Sequence, residues 1–314
     1  MNPNEHWTLA DNEDWMVTRQ DPPAGHSLSL LPHIYVERGT IEDWNLLHEL
    51  HYKGSGDLGI GPHIYRCVLA DHGTIGVGVM TVPKMLLSGR NHAFRHMKPN
   101  QDGRDTPLMN RYRAQWINAR SCTNSRLVLD TMYRGAGIAY RMQNLMMRMT
   151  GCRIVEFQSS MSKFNPFAGK AGMRFTPPRR SSFYVKGLAF FQRWFESEPM
   201  DYVGVREELD AMPAAAAAKC IREMRAFYYR CSSMEKSGDN RANGTRRVDE
   251  MEIGYLIKQL QQLVLASPLY GVYLNPDFDL AADAPRALPE RLPLLAFDLQ
   301  PTDQPLALDR LGAL

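Results

Sequence analysis

The spacing of apolar positions changes several times along the chain, and each change marks an element. Residues 33–37 (HIYVE) alternate apolar and polar side chains, which predicts a strand. Thr40 stands three residues before Asp43, a capping-box-like helix start. Trp44, Leu46, Leu47 and Leu50 then recur at helical spacing as far as His51-Tyr52-Lys53-Gly54. Residues 55–62 (SGDLGIGP) form a glycine-rich loop with no room for regular structure. Residues 64–70 and 74–82 are two apolar runs around Asp71-His72-Gly73 and predict a hairpin, which Pro83 ends because it has no ladder N–H. Residues 126–130 predict a short buried strand, and residues 134–139 (RGAGIA) turn sharply into a helix that carries Leu145, Met146 and Met149. A strand at 153–157 and a short helix within 163–173, stopped by Gly172, follow. Arg174-Phe175 and Phe183-Tyr184-Val185 supply a final hairpin. The order β-α-β-β-(insertion)-β-α-β-α-β predicts an α/β fold with a mixed sheet.

The flanks read differently. Residues 1–31 are polar and punctuated by Pro and Gly, an extended arm. Residues 84–119 show little periodicity and interrupt the strands as a basic insertion or long loop. After about residue 190 helical patterns dominate. Pro213 opens one helix reaching Tyr229, and 248–266 predicts a second with Leu256, Leu260, Leu263 and Leu265 on one face, the two being separated by a Gly/Asn-bearing linker at 232–246. The expected organisation is an arm (1–31), an α/β domain (32–190) and a helical accessory region (191–314) whose acidic, proline-rich tail is irregular.

Composition narrows the class. The 314 residues are 44% hydrophobic and 23% charged, the balance of a soluble globular protein with ample core. The five cysteines are scattered and form no C-x-x-C pair, which argues against a disulfide framework and a zinc cluster and fits a reducing compartment. No signal-peptide pattern opens the chain and no apolar run approaches the roughly 20 residues that span a bilayer, so a cytoplasmic protein with no membrane partner is expected. A net charge of +3 says little, but its distribution is uneven. Between Lys84 and Arg126 nine Lys and Arg face only Asp102 and Asp105, whereas acidic residues outnumber basic ones from Asp277 onward. The basic segment invites a phosphate-rich ligand; a solvated basic loop has the same composition.

The stretch 124–139 carries the chemistry. A strand that feeds a glycine-bearing turn at a helix N-terminus holds phosphate, because unpaired N–H groups converge there and the helix dipole favours negative charge. Gly135 and Gly137 let the backbone approach closely, although a tight strand-to-helix turn alone would also use them. With strands on both sides and N-P-F-A-G-K-A-G-M after them, this stretch resembles the GNAT acyltransferase superfamily over roughly residues 33–185. Arg134, Gly137 and Ala139 meet that family's (Q/R)-x-x-G-x-(G/A) motif, Tyr133 and Gly135 fit its Y-R-G-x-G form, and 170–173 looks like its K-x-G-F ending. The third glycine and acidic residue of a dinucleotide fold and the G-K-(S/T) of a P-loop are both missing.

The resemblance implies acetyl-CoA or another acyl-CoA as cofactor and an amine as acceptor. The backbone of Arg134, Gly135, Ala136, Gly137, Ile138 and Ala139 would hold its pyrophosphate, Leu127 and Leu129 would pair with the pantetheine amides, and Asn165 would contribute to the same site. Many such enzymes carry a Tyr acid where this chain has Ala168, so the acid is missing or Tyr140, Tyr133 or Cys122 replaces it. An amine nucleophile must lose its proton, and Glu156 on an apolar strand and His51 with Tyr52 at the end of the first helix are the candidate bases.

Two other readings use the same residues. His51, Tyr52 and Glu156 also resemble the site of Mom-type phage proteins, GNAT relatives that modify adenine in DNA. That resemblance implies that those residues contact iron or the base, in a spacing too loose to define a metal site, and that DNA runs along 84–126, with Arg111, Arg113 and Arg120 tracking phosphates. A catalytically degenerate GNAT fold serving as a binding module is the non-enzymatic class, consistent with Ala168 and the C-terminal helices.

Overall fold

The structure is a computed structural model. It describes residues 7–9, 15–17, 30–51, 58–85, 87–99, 106–159, 162, 165–177, 181, 183–232, 234–235, 240, 242–265 and 269–313. In chain order the strands are β1 (Trp7–Leu9), β2 (Trp15–Val17), β3 (Ile34–Arg38), β4 (His63–Leu69), β5 (Gly73–Thr81), β6 (Ser121–Leu129), β7 (Ile154–Ser159), β8 (Arg174–Phe175), β9 (Leu269–Leu274), β10 (Phe278–Asp279), β11 (Ala284–Pro285) and β12 (Arg291–Pro293). The helices are α1 (Ile41–Leu47), α2 (Ser88–Ala93), α3 (Pro107–Arg120), α4 (Ile138–Met149), α5 (Phe167–Lys170), α6 (Tyr184–Trp194), α7 (Tyr202–Ala211), α8 (Ala214–Cys231), α9 (Arg246–Asp249) and α10 (Ile253–Leu265). The result is a mixed α/β fold with added helices in its later part. It forms two compact units, one of residues 1–83, 117–155 and 274–314 and the other of 84–116 and 156–273.

In the first unit the strands follow the order β12-β3-β4-β5-β6 and then the start of β7. Neighbours from β12 to β6 are antiparallel, while β6 reaches β7 through α4, the βαβ connection that makes neighbours parallel. The expected capping box forms: Thr40 N–H donates to Asp43 Oδ2 at 2.9 Å, and Thr74 Oγ1 donates to Asp43 Oδ1 at 2.7 Å. With its start so fixed, α1 buries Trp44 and Leu47 against Ile64, Val77, Val79 and Val128. The opposite face of β5 receives α4. A Cβ on Gly76 would lie 3.1 Å from Met142 Sδ, and one on Gly78 only 2.2 Å from Met146 Sδ. The two methionines are one helical turn apart, and the two glycines remove the side chains that would hold them off. Because β5 is covered on both faces, it reads in sequence as a continuous apolar run.

The tail is ordered where irregular chain was expected. Arg291–Pro293 adds an edge strand to β3, with Leu292 opposite Val36, and Leu294 and Ala296 are buried behind it. Proline is tolerated there because an edge strand need not donate on its outer side. The tail's acidic residues have internal partners in the same unit: Asp277 takes Arg148, Asp283 takes Arg120 and Asp298 takes Arg141. Part of the charge asymmetry along the sequence is therefore neutralised within the fold.

The second unit is built around α6, α7, α8, α9 and α10, with Phe190, Phe191, Leu209, Met224, Phe227, Leu256 and Leu260 in its core. Residues 183–185 do not form a hairpin strand. Gly187, Phe190 and Phe191 recur at helical spacing and are buried, so this segment enters α6, and the partner of β8 is the distant β9. Residues 84–119, expected to be a loop, contain α2 and the 14-residue α3. In α3 only Ile117 is buried, so no apolar stripe exists to announce the helix. Among the described residues no helix is long and apolar enough to cross a membrane.

Helices α6 and α10 touch through Gly187, where an added Cβ would lie 2.2 Å from Val264 Cγ2. Val264 is β-branched and buried, so it has little room to yield. Gly187→Ala should cost about 1–3 kcal/mol in urea unfolding, and adding Val264→Ala should recover much of it. An unchanged midpoint in the single variant would show that this approach is not close.

Candidate functional site

The approach to the site is β6. Its pairing with β5 runs Gly76–Leu129, Val77–Val128, Gly78–Leu127 and Val79–Arg126, then skips to Met80–Asn124. Ser125 is the extra residue, a bulge whose Oγ donates to the Val79 carbonyl at 3.1 Å. Beyond the strand, Asp130 N–H still bonds the Ile75 carbonyl at 2.9 Å, and the Asp130 side chain caps the turn Thr131–Tyr133 by accepting from Met132 N–H. The Arg134 guanidinium reaches back to the Leu129 carbonyl at 3.0 Å and closes the turn on the strand.

Gly135 and Gly137 then adopt φ of 84° and 78°, the left-handed region that costs an L-side chain about 1 kcal/mol or more. Gly137 is the N-cap of α4, and no side chain caps this helix start among the described residues. A Cβ on Gly135 would meet nothing within 4 Å, so the turn is open on that side. Arg141, one turn into α4, donates Nη1–H to the Gly137 carbonyl at 3.0 Å and is clamped by Asp298 at 2.9 Å. Its guanidinium lies 4.8 Å from the Tyr140 ring, and Tyr140 packs edge-on against Phe297 at 5.3 Å. This local set suits a phosphate: left-handed glycines, an uncapped helix start, an open side and two arginines. Arg141, Phe297 and Asp298 escaped the sequence reading. The i, i+4 spacing of Gly137 and Arg141 was visible there, but the partners in the tail were not.

The remaining sequence candidates fall in both units. Leu127 is half-buried and Leu129 buried on β6, in line with the turn. His51 ends the 3-10 turn His48–Leu50, which lies against β6; its ring centroid is 6.2 Å from that of Trp44. Tyr52 lies outside the described residues. Asn165 belongs to the second unit, where its Oδ1 accepts from Phe167 N–H at 3.1 Å at the start of α5, and Ala168 is fully buried. Tyr140 carries its hydroxyl beside Gly137, where an added Cβ would be 3.2 Å away. Cys122 is buried and hydrogen-bonds the Cys152 thiol; that bond lowers the Cys152 pKa against the opposing effect of burial.

Glu156 requires a correction. It is 1% exposed, and Arg90 holds it in a bidentate pair, Nε to Oε1 at 2.7 Å and Nη2 to Oε2 at 2.6 Å. The Tyr270 hydroxyl donates to the same Oε1, and burial together with this carboxylate pushes the Tyr270 pKa up. Both carboxylate oxygens are thus taken up by Arg90 and Tyr270, an arrangement that suits a structural ion pair.

The phosphate-tracking arginines also separate. Arg120 is engaged by Asp283 through both Nε and Nη2, and Arg113 donates to Asn110 at 3.3 Å. At about 100° per residue Arg111 and Arg113 lie roughly 200° apart around α3, so the three form no single stripe. Among the described residues no three His, Cys, Asp or Glu side chains gather as a metal-ligand set, and His51 and Glu156 belong to different units.

No family model and no curated protein matches the chain. Among the solved structures that overlap part of it are three acetyltransferase-type proteins. One is a Bacillus subtilis acetyltransferase in complex with CoA, 13% identical over 52% of this chain and 87% of its own, with a TM-score of 0.31. An agmatine N-acetyltransferase variant in its apo form is 14% identical over 48% and 86%, with a TM-score of 0.29. A mosquito arylalkylamine N-acetyltransferase-like protein is 14% identical over 46% and 70%, with a TM-score of 0.23.

Glu156→Gln leaves the Arg90 charge buried without its counter-ion and should cost about 3–5 kcal/mol in denaturant unfolding. Arg90→Met together with Glu156→Gln should be milder than Glu156→Gln alone. Equal unfolding midpoints for wild type and Glu156→Gln would contradict the buried pair.

Proposed function

We propose that the protein is an acyl-CoA-dependent acyltransferase whose acceptor is an amine. The observation that carries this reading is the turn from Arg134 to Ala139, with Gly135 and Gly137 left-handed and α4 opening uncapped beside Arg141. In it the N–H groups at the start of α4 face the pyrophosphate, the Arg134 guanidinium adds positive charge at the same end, and Arg141, paired with Asp298, lies beside it. Asp298 keeps Arg141 in place before any ligand arrives, so little side-chain entropy remains to be lost on binding. The backbone of β6 around Leu127 and Leu129 pairs with the pantetheine amides. Bound acyl-CoA supplies an activated acyl thioester, and the chain supplies orientation, polarisation and proton removal.

Polarisation of the thioester carbonyl falls to backbone N–H groups near the Ser125 bulge, where the ladder with β5 is interrupted. Proton removal from the amine falls to His51, at the end of a turn packed on β6; Glu156 is bound to Arg90. Tyr140, beside Gly137, stands at the phosphate end and is a poor choice for protonating a departing thiolate. Asn165, near α5, remains a proposed contributor to cofactor binding. The overlap with acetyltransferase folds is compatible with this reading and carries none of its weight.

Acetyl-CoA should raise the melting temperature of the full chain, and Gly137→Glu should abolish the shift by placing a negative charge at a left-handed turn. Arg141→Ala removes a charged partner worth about 1.5–3 kcal/mol, so the dissociation constant should rise roughly 10- to 150-fold. No shift in the wild type at millimolar acetyl-CoA would overturn the proposal.

A further inference from the structure

Asn124 lies on β6 immediately before the Ser125 bulge and is 3% exposed. Among the described residues neither its Oδ1 nor its Nδ2 has a hydrogen-bond partner. Buried side-chain amides are paired as a rule, because an unmade hydrogen bond in the interior forfeits the hydration that the group had in water. A residue with an acceptor and a donor both unmet is therefore set for a ligand that offers one of each.

Its place on the sheet says which ligand. Residues directly opposite share a face, and Gly78 and Met80, two apart on β5, point the same way. Their partners Leu127 and Asn124 therefore lie on one face of β6, the face on which Met146 meets Gly78. Starting at the turn 134–139 and running back along β6, the order is Leu129, Leu127, the bulge and Asn124. With Ser125 as the extra residue, Asn124 lies as far from Leu129 as Met80 lies from Gly76, roughly 13 Å at about 3.3 Å per residue. A pantetheine arm laid extended along this strand carries its thioester to that end.

We infer that Asn124 is the residue that distinguishes an acylated from an unacylated cofactor, an inference that rests on the acyl-CoA reading above. Its Nδ2–H donates to the acyl carbonyl, and its Oδ1 accepts from the arm's amide N–H nearest the sulfur. Free CoA satisfies only the second of these.

The test is calorimetric titration of the full chain with acetyl-CoA and with CoA, for wild type and Asn124→Leu, alongside the melting temperature without ligand. Wild type should bind acetyl-CoA about tenfold more tightly than CoA. Asn124→Leu should bring the ratio close to one while still binding CoA, and its ligand-free melting temperature should be unchanged or higher, because an unpaired buried amide has been replaced by an apolar group. A ratio that survives in Asn124→Leu, or a fall in the ligand-free melting temperature, overturns the inference; the latter would mean that the protein itself satisfies the amide. Failure of the acyl-CoA reading looks different, with wild type binding neither ligand, and it takes this inference with it.

Discussion

The seating of α4 on β5 is the constraint from which the first unit follows. Met142 and Met146 descend onto Gly76 and Gly78, a contact that a side chain at Gly78 would push apart and one at Gly76 would crowd. Once that distance is fixed, the start of α4 must lie close beyond the end of β6, and only a sharp turn can join them. Left-handed Gly135 and Gly137 make that turn. The proposed anion-binding character of the turn would then be a by-product of packing: a helix brought this close to its strand begins with its N–H groups facing outward.

Charge pairing completes the arrangement by bringing in the tail. Arg148–Asp277 is a buried pair, with the Arg148 Nε donating to Asn144 and the Asp277 carboxylate also accepting from Leu306 N–H. Arg141–Asp298 and Arg120–Asp283 are partly exposed, and such pairs contribute little net stability. Their consequence is positional. Asp298 orients Arg141 at the helix start, and Asp283 removes Arg120 from the surface charge that the sequence offers to polyanions.

Local periodicity carried much of this fold in readable form. The Thr40–Asp43 cap, the β4–β5 hairpin and the turn at Gly137 each depend on neighbours within a few residues, and each is found where the pattern places it. What escaped depends on long-range pairing or on exposure. The partner of β8 comes from β9, nearly a hundred residues later. Helix α3 buries only Ile117 and leaves no stripe in the pattern. Glu156 looked like a base because its strand neighbours are apolar, but burial of a carboxylate calls for a cation, and Arg90 lies 66 residues away in a segment without periodicity. The candidate site divides in the same way: its glycines are local and legible, whereas Arg141's clamp and Asn124's unmet amide exist only in three dimensions.

The central claim is that the turn from Arg134 into α4 is the pyrophosphate site of an acyl-CoA. Amide hydrogen exchange of the full chain with and without acetyl-CoA tests it most directly. The account predicts slowed exchange at the amides of residues 135–140, centred on Gly137 and Ile138, because those N–H groups would be donating to phosphate oxygens. Binding that protects other segments and leaves 135–140 exchanging at the ligand-free rate would contradict it.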